Sequence, residues 1–203
     1  MAARQTVVIL GGGIGGLATA RALRRRLSRR HRIVLVDRER QHVFAPSLLW
    51  LMTGQRRPEQ IQRPLASLTP RGVELLVGEV DRIEPEARRI ILNGQPIEWD
   101  YLVISLGAEL APETIPGLRE AGHNLYDLPG AVGLRDALAA HRAGRVVVLT
   151  AAPAYKCPAA PYEAALLIAD ALHIGSSRAI GEVAVYAAEP GPMGVAGPEV
   201  SSA

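Results

Sequence analysis

Apolar residues along this chain gather in short unbroken runs. Thr6–Leu10 (TVVIL), Arg32–Asp37 (RIVLVD), Tyr101–Leu106 (YLVISL) and Arg145–Thr150 (RVVVLT) are each rich in β-branched side chains. A strand covered on both faces has no polar side to alternate with, so the first three runs predict buried strands, parallel in the case of Thr6–Leu10, while Arg145–Thr150 begins a second strand–helix pattern. Between the first two, Leu17, Ala20, Leu23 and Leu27 share one face of a helix predicted over 17–27. Strand, helix and strand over 6–37 have the length a crossover connection needs. Further strands are predicted at Val73–Val80 and Glu182–Ala187, and further helices at Ala131–His141 and Pro161–His173, where Pro161 suits a first helical turn. Arg88–Leu92 and Pro96–Trp99 flank Asn93-Gly94, a strong hairpin signal. Residues 38–72, with Pro46, Pro58, Pro64 and Pro70, read as short helices and loops, and Pro190–Ala203 shows no regular pattern. The expected organisation is an α/β unit over 1–110, a connecting segment over 111–143, and a second unit over 144–203 with only strand, helix and strand.

Composition narrows the class. With 48% hydrophobic and 21% charged residues the chain has enough apolar material for a core, which excludes disorder. No apolar stretch reaches the ~18 residues of a membrane span. Met1–Gln5 runs directly into a strand with no export signal, so the expected location is cytoplasmic. The net charge of +3 is too small to indicate a nucleic-acid partner, and none is expected. Arg24, Arg25, Arg26, Arg29, Arg30 and Arg32 read as a solvated helix end, where cations suit the C-terminal dipole. The single cysteine, Cys157, rules out a disulfide within these residues. His31, His42, His123, His141 and His173 have no metal-ligand spacing, so no metal site is expected. Ser47 and Ser105 have no triad pattern behind them.

The chemistry starts at Gly11-Gly12-Gly13-Ile14-Gly15-Gly16, between a strand and a helix, with Asp37 21 residues beyond Gly16 at the end of the next strand. This is the fingerprint of a dinucleotide-binding turn. Gly11 permits the tight turn, Gly13 lets backbone approach a pyrophosphate, and Gly16 lets the helix pack close to the sheet. The helix N-terminus offers free N–H groups and the positive end of its dipole. Asp37, with Arg38 beside it, can accept hydrogen bonds from ribose hydroxyls. Gly78-Glu79-Val80 is a strand end that could set backbone against an adenine, and the run through Ser105 ends in Gly107. Both features resemble segments of two-dinucleotide-domain flavoproteins, and that resemblance, in this order after Asp37, implies FAD rather than NAD.

Where a second glycine motif should follow 145–150, the sequence reads Ala151-Ala152-Pro153-Ala154-Tyr155-Lys156-Cys157-Pro158-Ala159-Ala160-Pro161-Tyr162-Glu163. It has no glycine with which to approach a second pyrophosphate. It puts a thiol beside a lysine just ahead of a helix N-terminus, and both neighbours favour a thiolate. Glu163 can act as a proton acceptor. On local chemistry alone, an inert cysteine at a strand–helix junction accounts for the segment equally well.

Lys156-Cys157-Pro158-x-x-Pro161-Tyr162-Glu163 after an N-terminal GxGxxG resembles the sulfide:quinone oxidoreductase and flavocytochrome c sulfide dehydrogenase family of disulfide-oxidoreductase-like flavoproteins. His42–Ser47, which includes Pro46, resembles the family's segment near the flavin, and Asp100–Gly107 and Pro192–Glu199 also fit. The resemblance implies a Rossmann-like FAD-binding domain followed by the start of a second Rossmann-like domain. It implies sulfide oxidation at a redox cysteine pair beside the flavin, with electrons passing to a quinone or a cytochrome. Cys157 matches one member of that pair, and Glu163 the glutamate proposed as base. Ala45 stands where the flavocytochrome branch links FAD covalently, so FAD should be held non-covalently. The second cysteine, further FAD contacts and the membrane-binding elements belong to the family's C-terminal half. They would have to come from residues beyond these, or from a separate chain, with attachment to the cytoplasmic membrane face through those elements. Two other readings stand beside this one. A type II NADH:quinone dehydrogenase shares the first motif and the hairpin but should carry a second glycine motif. A truncated FAD-binding fragment would bind without turnover.

Overall fold

The computed structural model describes residues 3–153, 155–173 and 181–202; Ala154 of the cysteine segment and the side chain of His173 lie outside them. The chain divides into two compact units, Met1–Val43 with Gln62–Leu110, and Phe44–Ile61 with Ala111–Ala203.

The first unit opens with β1 (Thr6–Leu10), α1 (Ile14–Arg26), β2 (Arg32–Asp37) and β3 (Gln41–Val43). The chain then runs through α2 (Leu48–Met52) and α3 (Pro58–Ile61), which group with the second unit. The first unit resumes with β4 (Gln62–Pro64), α4 (Leu65–Leu68), β5 (Glu74–Val77), β6 (Val80–Glu84), β7 (Arg89–Leu92), β8 (Gln95–Glu98) and β9 (Tyr101–Ile104). The runs at β1, β2 and β9 form a parallel sheet with β5, in the order β5-β2-β1-β9. Its two faces are covered differently. Val7, Ile9, Ile33 and Leu35 pack with Ala20, Leu17 and Leu23 of α1. Val8, Leu10, Val34 and Val36 pack against Ile90 and Leu92 of the antiparallel sheet β6-β7-β8. Each such fully buried side chain is worth about 1.5–3 kcal/mol, which is why the runs have no polar face.

Several expectations need correcting. The helix predicted at Ala131–His141 spans Leu128–Ala140, and the strand predicted at Tyr101–Leu106 ends at Ile104. The helix predicted over 17–27 begins at Ile14, inside the glycine motif, with Gly13 as its N-cap. The single strand predicted over 73–80 is two strands, β5 and β6. At the break the Gly78 N–H donates to Asp37 O (2.9 Å) and the Glu79 N–H to Asn93 Oδ1 (3.0 Å). Within Pro190–Ala203, a 3₁₀ turn forms at Gly194–Ala196 and a short helix at Pro198–Ser201. The hairpin is as read: Asn93 and Gly94 both take positive φ, 48° and 76°, joining β7 to β8.

In the second unit α5 (Leu118–Ala121) and α6 (Leu128–Ala140) precede β10 (Arg145–Thr150), α7 (Ala160–His173) and β11 (Glu182–Ala187). Asp127 caps α6 by accepting the Gly130 N–H at 2.7 Å. β10 and β11 pair in parallel with α7 as the crossover. Val148, Ala164, Ile168 and Leu172 build the core with Leu49 and Met52 of α2. On the opposite face Val147, Leu149 and Tyr186 stay 49%, 53% and 53% exposed.

Candidate functional site

The glycine turn lies at the C-terminal end of β1. From there the sheet extends one way to β2 and β5 and the other way to β9. This is a topological switch point, where open α/β sheets bind ligands. Gly11 takes φ +98°, and a methyl group there would strike the Ser105 carbonyl oxygen. A methyl at Gly16 would overlap the Gly11 carbonyl oxygen, so only glycine lets α1 approach β1 this closely. Gly15 is restricted by Ser105, whose Oγ would lie 2.5 Å from an added Cβ. Gly13 is different: an added Cβ would meet nothing within 4 Å. Open space therefore lies in front of the residue that should face a pyrophosphate. No side chain caps α1, no acid occupies its first turn, and Ile14 is 63% exposed. The first-turn N–H groups are thus left for an anion.

Asp37 closes β2 with its carboxylate at this turn. Oδ2 accepts the Gly12 N–H at 2.5 Å and Oδ1 the Glu39 N–H at 2.7 Å. Each oxygen keeps a lone pair for a hydroxyl. Arg38 is exposed, with Nε 3.9 Å from Glu39 Oε1. Ser105 continues the β9 ladder through its N–H to Leu10 O (2.8 Å), and Gly107 follows at φ 75°. Val80 packs in the layer with Leu92 and Ile97. Two further residues lie at the turn: His42, from the segment that resembles the family's flavin segment, with Nδ1 3.2 Å from Gly12 O, and Leu65, which the sequence did not single out, whose Cδ2 would lie 2.5 Å from a Cβ at Gly12. Their positions depend on the β3–β4 pair, which no local pattern announces.

The other candidates belong to the second unit. Pro46 lies in a 3₁₀ turn, Ala45–Ser47, and Ser47 is buried. Cys157 is a free, exposed cysteine with φ 52°, and its carbonyl accepts the Ala160 N–H at 3.0 Å. Glu163 is exposed in the first turn of α7. The structure thus keeps Cys157 and Glu163 on one strand–turn–helix. The Tyr126 phenol is pushed up to about 12, first by burial and then by the charge of Cys157.

The ends of β10 and β11 are joined through side chains. Thr150 Oγ1 accepts the Ala188 N–H at 3.0 Å. One oxygen of Glu189, Oε1, accepts both the Tyr155 hydroxyl (2.7 Å) and the Tyr162 hydroxyl (2.5 Å). These bonds hold the Glu189 carboxyl below its ordinary range, Tyr162 contributing most, and raise both phenols.

A parallel sheet with a glycine turn at its switch point and an acid at the next strand end is the arrangement of the Rossmann-like dinucleotide-binding fold. The chain belongs to the pyridine nucleotide-disulphide oxidoreductase family, whose sequence model matches residues 5–156. It is similar to the demethylphylloquinone reductase NdbB of Synechocystis, 34% identical over 145 residues that make up 67% of this chain and 36% of that protein. The sulfide-quinone reductase of Aquifex aeolicus is 39% identical over 106 residues, 51% of this chain and 24% of that protein. The solved structure of the sulfide:quinone oxidoreductase from Aquifex aeolicus superposes with a TM-score of 0.85 at 28% identity, over 97% of this chain and 47% of that one. The chain therefore spans less than half the length of the relatives it matches. Among the described residues no helix is long and apolar enough to cross a membrane.

Proposed function

We propose that the chain is the FAD-binding and cysteine-bearing part of a flavoprotein oxidoreductase of the sulfide:quinone type. In this reading the first unit holds the ADP half of a non-covalent FAD. The open space at Gly13 and the uncapped start of α1 receive the pyrophosphate, and Asp37 receives ribose hydroxyls. Bound FAD supplies a two-electron acceptor. Cys157 is the sulfur that meets the reduced substrate, and Glu163 takes up its proton. The second sulfur of a redox pair must come from outside these 203 residues, since Cys157 is their only cysteine. A quinone is the acceptor, reached by peripheral attachment to the cytoplasmic membrane face through segments not present here.

The observation that carries this reading is the contrast between the two strand–turn–helix units. The first has an open glycine turn. The second has a cysteine turn without glycine, and the acid after its second strand, Glu189, is already engaged by Tyr155 and Tyr162. A nicotinamide dinucleotide would need both a close backbone approach and a free strand-end carboxylate. The identity to the alternative NAD(P)H-ubiquinone oxidoreductase C1 of Arabidopsis thaliana, 31% over 153 residues, favours a second reading, a quinone reductase fed by NADH. One experiment separates them: FAD titration of the purified chain, then anaerobic addition of sulfide or of NADH while the flavin absorbance is followed. Bleaching by sulfide that is lost in Cys157→Ser supports the proposal. Bleaching by NADH alone supports the second reading. FAD binding with no response to either donor supports a binding fragment, and a chain that stays colourless refutes all three.

A further inference from the structure

Two carboxylates occupy corresponding places in the two units. Asp37 closes β2 and holds the turn after β1 through the Gly12 N–H. Glu189 stands two residues beyond β11 and holds the turn after β10 through side chains. Tyr155 lies two residues before Cys157 and Tyr162 five after it, so one carboxylate oxygen grips the cysteine turn on both sides. The turn needs such support. Cys157 itself has φ 52°, a left-handed conformation that is strained for a non-glycine residue. The thiol itself is exposed.

We propose that Glu189 is a positioning residue for Cys157: by accepting the hydroxyls of Tyr155 and Tyr162 it pins both flanks of the turn that presents the thiol. The inference rests on the reading of Cys157 as the reacting sulfur and adds how that sulfur is held in place. The ionisation states agree with it. The two phenols keep the Glu189 carboxyl below its ordinary range, and the carboxylate keeps both phenols protonated.

Lys156 is the only lysine of the chain and Cys157 the only cysteine, so two probes report on this turn alone. Lysyl endopeptidase cuts only after Lys156, and a maleimide alkylates only Cys157. Neither probe needs flavin or sulfide, so failure of the sulfide reading leaves both measurements intact. In Glu189→Gln and in the double variant Tyr155→Phe/Tyr162→Phe, cleavage should be about tenfold faster or more, as expected when a held segment opens freely. The pH–rate profile of alkylation should shift in both, and Glu189→Asp should recover part of each effect. If Glu189→Gln fails to fold, the double variant, which deletes only two hydroxyls, decides. Cleavage and alkylation profiles within twofold of the parent in the double variant overturn the proposal. So does faster cleavage that merely tracks a lower melting temperature while the alkylation profile stays unchanged.

Discussion

Replacing Gly13 and Gly16 by alanine, one at a time, separates a folding requirement from a binding requirement within one turn. At Gly16 the added methyl would overlap the Gly11 carbonyl oxygen, a backbone atom that cannot swing aside. Either α1 moves off β1 or the turn distorts, at about 3 kcal/mol, the upper end of ordinary overpacking. For a chain of this size that lowers Tm by about 6–12 °C. At Gly13 the added methyl meets nothing within 4 Å, and the residue already has φ −71° and ψ −171°, open to any residue. Two small terms nearly cancel there. Alanine is a poorer N-cap than glycine by about 0.5–1 kcal/mol, and it lowers the entropy of the unfolded chain by a similar amount. Stability should stay within about 0.5 kcal/mol of the parent. If the pyrophosphate occupies the space in front of Gly13, the methyl intrudes on it at about 1–3 kcal/mol, or roughly 5- to 150-fold in Kd. Thermal melts of the apoprotein and titration of FAD by fluorescence quenching measure the two effects separately. A Gly13→Ala protein that melts like the parent and binds FAD within twofold of it would refute the placement of the pyrophosphate.

Asp37→Ala removes the acceptor of the Gly12 and Glu39 N–H groups; apoprotein stability should fall by about 2 kcal/mol in denaturant unfolding, and FAD affinity should fall with it. Tyr126 Oη is buried and has no hydrogen-bond partner among the described residues, so Tyr126→Phe should be neutral or stabilising by up to about 1 kcal/mol; ultraviolet titration should lose a phenol that ionises near 12. Glu74 is held below its ordinary 4.5, chiefly by its hydrogen bond from Arg32. A depressed carboxyl stabilises the fold above that ordinary value and loses the contribution as pH falls through the lowered one. Both partners are partly exposed, so Glu74→Gln should cost at most about 1 kcal/mol at pH 7, and the difference from the parent should vanish in acid unfolding curves below the carboxylate range.

The parts of this fold that were legible in the sequence carry their cause locally. β1 and β2 are apolar runs because both of their faces are buried, β9 and β10 keep the same β-branched composition with one face partly exposed, and the glycine turn is read from residues adjacent in the chain. The illegible parts depend on partners distant in sequence. α2, LLWLM, is too short to show a helical period, and what fixes it is the packing of Leu49 and Met52 with Ala164 and Ile168. Gly78 breaks a run that looks continuous because the side chain of Asn93, which belongs to the hairpin turn, occupies the space beside it. The grip of Glu189 on Tyr155 spans 34 residues and has no motif. One signal could have found it. Asp37 ends the second strand of the first unit, so a strand–turn–helix–strand repeated at 145–187 should end on an acid as well, and Glu189 is that acid. Its engagement by two tyrosines is then informative in itself. A half-buried carboxylate left without donors is costly, and Tyr155 and Tyr162 supply those donors from the glycine-free segment. The cysteine turn and its clamp therefore act as one unit, and substitutions in either should be strongly non-additive.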